Sequence, residues 1–250
     1  GTILARNWSF GDMNAWKEQT ADAGWAEREG MASVVFPDGT IVLMGGTCSP
    51  SRYNDTWRST DYGATWSLVN ASSGWTTRYG HTAVALTDGT IVLMGGFARS
   101  GTGYDSSGNV NDTWISTDRG ATWSLVNASP GWAPRSRHAS VALSDNSVVL
   151  MGGMGPGTSA YLNDTWRSTD RGATWTLVNA SPGWEARYWF SSVALSDDSI
   201  VLTGGDTGSP GFRNDTWIST DRGTTWTQQA AGAAWSVRRG MGGVVLADNN

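Results

Sequence analysis

Five arginines each follow a tryptophan by three residues, in the pattern Trp-x-x-Arg: Arg28, Arg78, Arg135, Arg187 and Arg238. A guanidinium presents a planar fork of donors to a carboxylate, sulfate or phosphate, so five copies at one level would make an anion-binding ring. The competing expectation is that each Arg stacks on its tryptophan and bonds carbonyls of the next repeat, since a site rarely needs every copy. The third residue after each Arg is Met31, His81, His138, Phe190 or Met241. His81 and His138 are the two histidines of the chain. They are acid/base candidates if that slot faces a channel, and packing residues otherwise. No acidic or cysteine partner stands at ligand spacing from them, so no metal site is expected. Glu29 and Asp206 are the carboxylates nearest the same region and join the two histidines as catalytic candidates. Trp189 lies outside the repeat pattern, beside Tyr188 and Phe190, and Tyr79 matches Tyr188. Such aromatics hold sugar rings or apolar ligands, or simply plug a wide channel. Arg137 and Arg239 are further cations there.

The elements that must position these residues are repeats. The stretch Asn163-Asp-Thr-Trp-Arg-Ser-Thr-Asp-Arg-Gly-Ala-Thr-Trp175 recurs at 54–66, 111–123 and 214–226. Fifteen of the 16 Trp residues fall into triplets at 8/16/25, 57/66/75, 114/123/132, 166/175/184 and 217/226/235. Within a unit the pattern predicts a strand near Ala32–Phe36, the turn Pro37-Asp-Gly-Thr40, and the apolar run Ile41–Met44 ending in Gly45-Gly46. After these come a loop over 47–53, a strand around Asp55–Arg58, a turn over 59–66 and a strand Trp66–Val69. Units restart at intervals of about fifty residues, and four strands per unit at that period predict propeller blades rather than solenoid coils. The unalternating second strand fits burial on both faces.

The expected fold is therefore all-β: a single domain, 1–250, forming a five-bladed β-propeller of four-stranded antiparallel blades. The blades are assigned to 28–77, 78–134, 135–186 and 187–237, with the fifth made from 238–250 together with 1–27. That last assignment rests on complementary ends. Residues 238–250 supply only a first strand, and Gly1-Thr-Ile-Leu4 matches the Gly89-Thr-Ile-Val92 that succeeds such a strand in another unit. Closure would remove free sheet edges. Strand parity puts the Asp-Gly turns and the 59–66 type turns at one end of the ring. The variable loops 47–53, 97–110, 154–162 and 206–213 fall at the other, which is where a binding site is expected.

The pattern Arg-x-x-His-x-x-Val-x-Leu-x-Asp-Gly-x-Ile-Val-Leu-Met-Gly-Gly, succeeded by Asn-Asp-Thr-Trp, resembles the kelch repeat. The string Ser-Thr-Asp-Arg-Gly-Ala-Thr-Trp at 116–123 and 168–175, with variants at 59–66 and 219–226, is similar to the Asp-box, or BNR repeat, of sialidase-like propellers. The N-terminal copy, Ser9-Phe-Gly-Asp-Met-Asn-Ala-Trp16, departs from it. Both resemblances imply a propeller, and neither implies one function. In the repeated turn, Asp61, Asp118, Asp170 and Asp221 are expected to accept backbone N–H bonds.

A net charge of −5 weighs against nucleic acid, and no apolar run reaches membrane-spanning length. The single Cys48 excludes an internal disulfide. No phosphate loop, nucleophile elbow or zinc motif is present, and no cofactor is expected. The expectation is a monomer, secreted or extracellular, that binds a glycan or another small polar or anionic ligand without chemistry. Its ligand set is Arg28, Arg78, Arg135, Arg187, Arg238, Tyr79, His81, Arg137, His138, Tyr188, Trp189 and Arg239. The alternatives are a glycoside hydrolase or sialidase-like enzyme, and a kelch-type interaction scaffold or recently duplicated or engineered repeat array.

Overall fold

The computed structural model describes residues 18–98, 108–157, 160–208 and 211–245. They form four antiparallel sheets, each of four strands in sequence order. The first holds β1 (Ala32–Val35), β2 (Ile41–Cys48), β3 (Ser51–Ser59) and β4 (Ser67–Asn70). The second holds β5 (Thr82–Ala85), β6 (Ile91–Phe97), β7 (Asn109–Ser116) and β8 (Ser124–Asn127). In the third are β9 (Ala139–Ala142), β10 (Val148–Met154), β11 (Tyr161–Ser168) and β12 (Thr176–Asn179). The fourth comprises β13 (Ser191–Ala194), β14 (Ile200–Asp206), β15 (Phe212–Ser219) and β16 (Thr227–Ala230). The fold is all-β and propeller-like, as the repeat period requires.

The second strands β2, β6 and β10 are buried on both faces, while β14 leaves Val201 and Thr203 half-buried, and the tryptophans explain how. Trp75, Trp132 and Trp184 are almost wholly buried. Each lies between two sheets: Trp75, for example, packs with Val42 and Met44 of β2 and with Ile91 and Leu93 of β6. Each also meets the middle tryptophan of the next unit edge-on, with centroids 6.1 Å apart, in the pairs Trp75–Trp123, Trp132–Trp175 and Trp184–Trp226. An isolated sheet would leave these faces wet, so the core is an inter-sheet core and the stack must assemble to fold. The double glycine at the end of the second strand marks a register shift. There Gly96 N donates to Arg135 O at 2.8 Å and Gly153 N to Arg187 O at 2.9 Å, which ties each sheet to the next.

The repeated turn is a carboxylate clamp. Asp118 Oδ1 accepts Thr122 N and Ser116 Oγ, both at 2.8 Å, while Oδ2 accepts Thr122 Oγ1 at 2.6 Å. Asp61, Asp170 and Asp221 repeat the arrangement. Arg119 then reaches back to Asp38 of the preceding sheet at 2.5 Å, and Arg171 reaches Asp88 at 2.6 Å.

Two expectations need correction. The loop expected over 47–53 is a tight hairpin, with Thr47 opposite Arg52 and Cys48 opposite Ser51, because β2 and β3 run on past the glycine pair. The closed ring of five sheets is not present among the described residues. Arg238 makes a single bridge to Arg213, and 241–245 form no ladder. A strand needs a partner, and the one expected for it, at the N-terminus, lies within residues 1–17, outside the described residues, as do 246–250. Gly243, Val244 and Val245 nevertheless line the same axial cavity as β1, β5, β9 and β13.

Candidate functional site

The Trp-x-x-Arg arginines enter each sheet just before its first strand, and the structure engages four of them internally. Arg78 pairs bidentately with Asp112 at 2.6 and 2.8 Å, donates to Gly95 O at 2.8 Å, and lies 5.8 Å from the Trp75 ring. Arg135 and Asp164 (2.6 and 2.9 Å), Arg187 and Asp215 (2.6 and 2.8 Å), and Arg28 and Asp55 (2.7 and 3.0 Å) repeat it. Burial pushes the Asp164 and Asp215 carboxyls upward, but the facing guanidiniums outweigh it and hold both below the usual range. Arg28, Arg78, Arg135 and Arg187 are thus corrected from ligand groups to frame, since their donors are already filled. Arg238 differs: it is exposed and, among the described residues, its side chain bonds only the Ser236 carbonyl and hydroxyl. The carboxylates of Asn-Asp-Thr-Trp were in plain view in the sequence, but nothing local indicated that they face an arginine some thirty residues away.

The histidines are also withdrawn from acid/base duty. His81 and His138 are buried against Trp75 and Trp132, at 5.9 and 6.4 Å between centroids. Burial, with the Arg78 cation next, takes the His81 pKa down to about 3; burial and Arg135 take His138 well below its ordinary value. Both are neutral at physiological pH. They floor a cavity of about 280 Å³ together with Met31, Phe190 and Met241.

Above that floor the axial mouth is bounded by five equivalent positions: Gly30, Gly80, Arg137, Trp189 and Gly240. They form a chain of backbone bonds, Gly80 N to Gly30 O (2.7 Å), Arg137 N to Gly80 O (2.6 Å), Trp189 N to Arg137 O (3.0 Å) and Gly240 N to Trp189 O (2.8 Å). All five are left-handed, with φ of 62, 62, 55, 52 and 66°. Glycine takes this conformation freely; a side chain there costs on the order of 1 kcal/mol or more. Arg137 and Trp189 bear that strain and stack on each other, the guanidinium carbon 4.4 Å from the ring centroid. Arg239 also lies over Trp189, at 4.6 Å.

Asp206 accepts Tyr188 Oη at 2.9 Å, Arg239 at 2.5 Å and Gly208 N at 2.8 Å. Burial raises its carboxyl, but these bonds win and hold it below the usual range. Burial and the Asp206 bond push Tyr188 up to about 12. An ionised Asp206 that already accepts three bonds is not poised to donate a proton. Tyr161 stacks on Tyr188 at 4.9 Å. Exposed Glu29 lies on the far rim of the mouth, its backbone bridged to Thr47. Beside it opens a cavity of about 300 Å³, lined by Glu29, Thr47, Arg52, Tyr79, Arg137 and Trp189. Arg52 was not singled out from the sequence, because it sat in a segment expected to be loop. Among the described residues, no group of three or more His, Cys, Asp or Glu could hold a metal ion.

Residues 8–205 match the KLHDC2/KLHL20/DRC7 Kelch-repeats domain. The chain belongs to the kelch-repeat family. Its kelch repeats are similar to an F-box/kelch-repeat protein of Arabidopsis thaliana, 28% identical over 198 residues, or 74% of this chain and 41% of that protein. They are also similar to a xyloglucanase of Paenibacillus sp, 32% identical over 222 residues, or 78% of this chain and 20% of the enzyme. The xyloglucanase Xgh74A of Acetivibrio thermocellus is 27% identical over 209 residues, covering 76% and 24%. The chain therefore spans less than half the length of each of these relatives.

Proposed function

We propose that this kelch propeller is a non-catalytic binding module that takes a glycan at its axial mouth, on the surface built by Tyr79, Arg137, Trp189 and Arg239. The observation that carries the reading is the strained pair. Three units place glycine at the left-handed mouth position, and two place Arg137 and Trp189 there, side by side and aimed at the opening. Backbone strain of this kind persists where a side chain is required for something other than stability. Similarity to xyloglucanases supports carbohydrate as the ligand class, while the bonded state of Asp206 speaks against catalysis at this mouth. The clamp made by Asp61, Asp118, Asp170 and Asp221 supports assigning those turns as Asp-boxes, with a structural role.

The test is a glycan array probed with the native chain and with the double variant Arg137→Gly, Trp189→Gly. Relief of two left-handed side chains offsets the lost cation–π contact, about 1 kcal/mol each way. The variant should therefore melt within a few degrees of the parent while losing the glycan signal. Retention of the signal by the folded variant would place binding elsewhere.

A further inference from the structure

The cavity beside the mouth holds two arginines with an unusual set of neighbours. Arg52 stands 5.7 Å from the Tyr79 ring and 5.5 Å from Phe97. Arg137 stands 5.8 Å from the same Tyr79 and 4.4 Å from Trp189. Aromatic contacts hold both guanidiniums in place, yet neither has a carboxylate within 4.0 Å among the described residues. The Nε of each is buried with no acceptor among those residues, and the hydrogen bond that either head does form runs from Arg137 to the weakly accepting Met154 Sδ at 2.8 Å. Among the other described arginines, Arg28, Arg78, Arg135, Arg187, Arg119, Arg171, Arg213, Arg222 and Arg239 face a carboxylate, while Arg58, Arg167 and Arg238 do not; of the five without one, Arg52 and Arg137 line this cavity. Stacking occupies the face of a guanidinium and leaves its in-plane edge to meet an oxygen acceptor, and that edge matches the two oxygens of a carboxylate. Glu29 lines the same cavity, so two cations face one anion and the balance is positive.

We infer that Arg52 and Arg137 form a carboxylate subsite at the rim, and that the glycan taken by the mouth carries a uronic acid seated there. This rests on the glycan reading above and adds its charge. The sugar body would lie toward Thr47, Ser49 and Tyr79, which line the cavity.

The experiment is calorimetric titration of the native chain with an oligogalacturonate and with its methyl ester. The ester keeps the sugar and removes the charge. The acid should bind ten- to a hundredfold more tightly than the ester, the range of a charge-assisted bidentate bond. Raising salt from about 50 to about 500 mM should narrow that gap by screening the charge. Arg52→Gln, checked for an unchanged melting curve, should bring the acid down to the affinity of the ester and leave the ester as it was. Equal binding of acid and ester overturns the subsite; if both are then lost in Arg137→Gly, Trp189→Gly, the glycan reading survives without it. Tight binding of the acid that Arg52→Gln leaves intact also overturns the subsite. Binding of neither probe, with capture of an acidic peptide instead, overturns the subsite and the glycan reading together.

Discussion

His81 and His138 should make this protein lose stability as pH falls through the weakly acidic range. Both are neutral in the folded state, with His81 lowered to about 3 and His138 well below its ordinary value, whereas an unfolded histidine titrates near about 6.5. Below that pH the unfolded chain therefore binds protons that the folded chain refuses, and stability falls with decreasing pH. Each histidine contributes a slope of about 1.4 kcal/mol per pH unit. Between about pH 6.5 and pH 5 that amounts to about 2 kcal/mol per histidine, or about 4 kcal/mol for the pair. The window is clean because the carboxyls that the fold stabilises, such as Asp164 and Asp215, lie below their ordinary range, so their loss begins only near about pH 4. The assay is urea unfolding at about pH 7.5 and about pH 5, with the slope on denaturant checked for constancy. The repeat supplies its own control: the same position holds Met31 in the first unit and Met241 after the fourth sheet. His81→Met should remove about half of the pH-dependent loss and leave stability at neutral pH little changed. A native chain equally stable at both pH values, or a variant with an undiminished pH dependence, would refute the claim that burial keeps these rings neutral.

Asp112→Asn should lower unfolding free energy by about 3–5 kcal/mol, because it strands the wholly buried Arg78 guanidinium without a counter-charge. The same change at Asp55, whose side chain is 16% exposed, should do less damage, and paired denaturant curves test the ranking. Asp170→Ala removes the hydrogen bonds from Thr174 and Ser168 at an exposed turn. It should cost about 1–2 kcal/mol by thermal melting, without altering ligand binding at the opposite end of the axis.

The features visible in the sequence came from repetition. Five tryptophan triplets led to the expectation of five equivalent sheets, of which four are present among the described residues, and Ile41–Met44 and its counterparts had to be buried on both faces if the sheets stack. The expected carboxylate clamp at Asp118 is present because a short acidic side chain within a turn has only local partners to choose from. The Arg–Asp pairs were not legible, since Arg78 and Asp112 lie far apart in the chain and meet only once the strands of their sheet have paired. The hairpin at 47–52 was missed because Ser49-Pro50 looks like a loop, while ladder pairing of Thr47 with Arg52 depends on strands that continue past a glycine pair. Missing that hairpin also hid Arg52.

The comparison of equivalent positions separates frame from site more sharply than residue type does. Arginine at the Trp-x-x-Arg position occurs in every unit, and wherever the facing carboxylate is described it is internally bonded. Arginine two residues later occurs once, at Arg137, in a conformation that three sister units reserve for glycine. The two have the same chemistry and opposite meanings. A group that appears in all copies is answering a demand of the repeated sheet, which is the same in each unit. A group that appears in one copy, against a local energetic preference, answers nothing the stack asks for. Trp189 meets both conditions, and it touches Arg137 and Arg239 across the opening. If Arg137→Gly and Trp189→Gly each leave the melting temperature unchanged or raise it while binding is lost, the strain is the signature of the site. Should either substitution lower it by more than the stacking contact is worth, about 1 kcal/mol or about 2–4 °C for a chain of this size, the side chains belong to the frame after all.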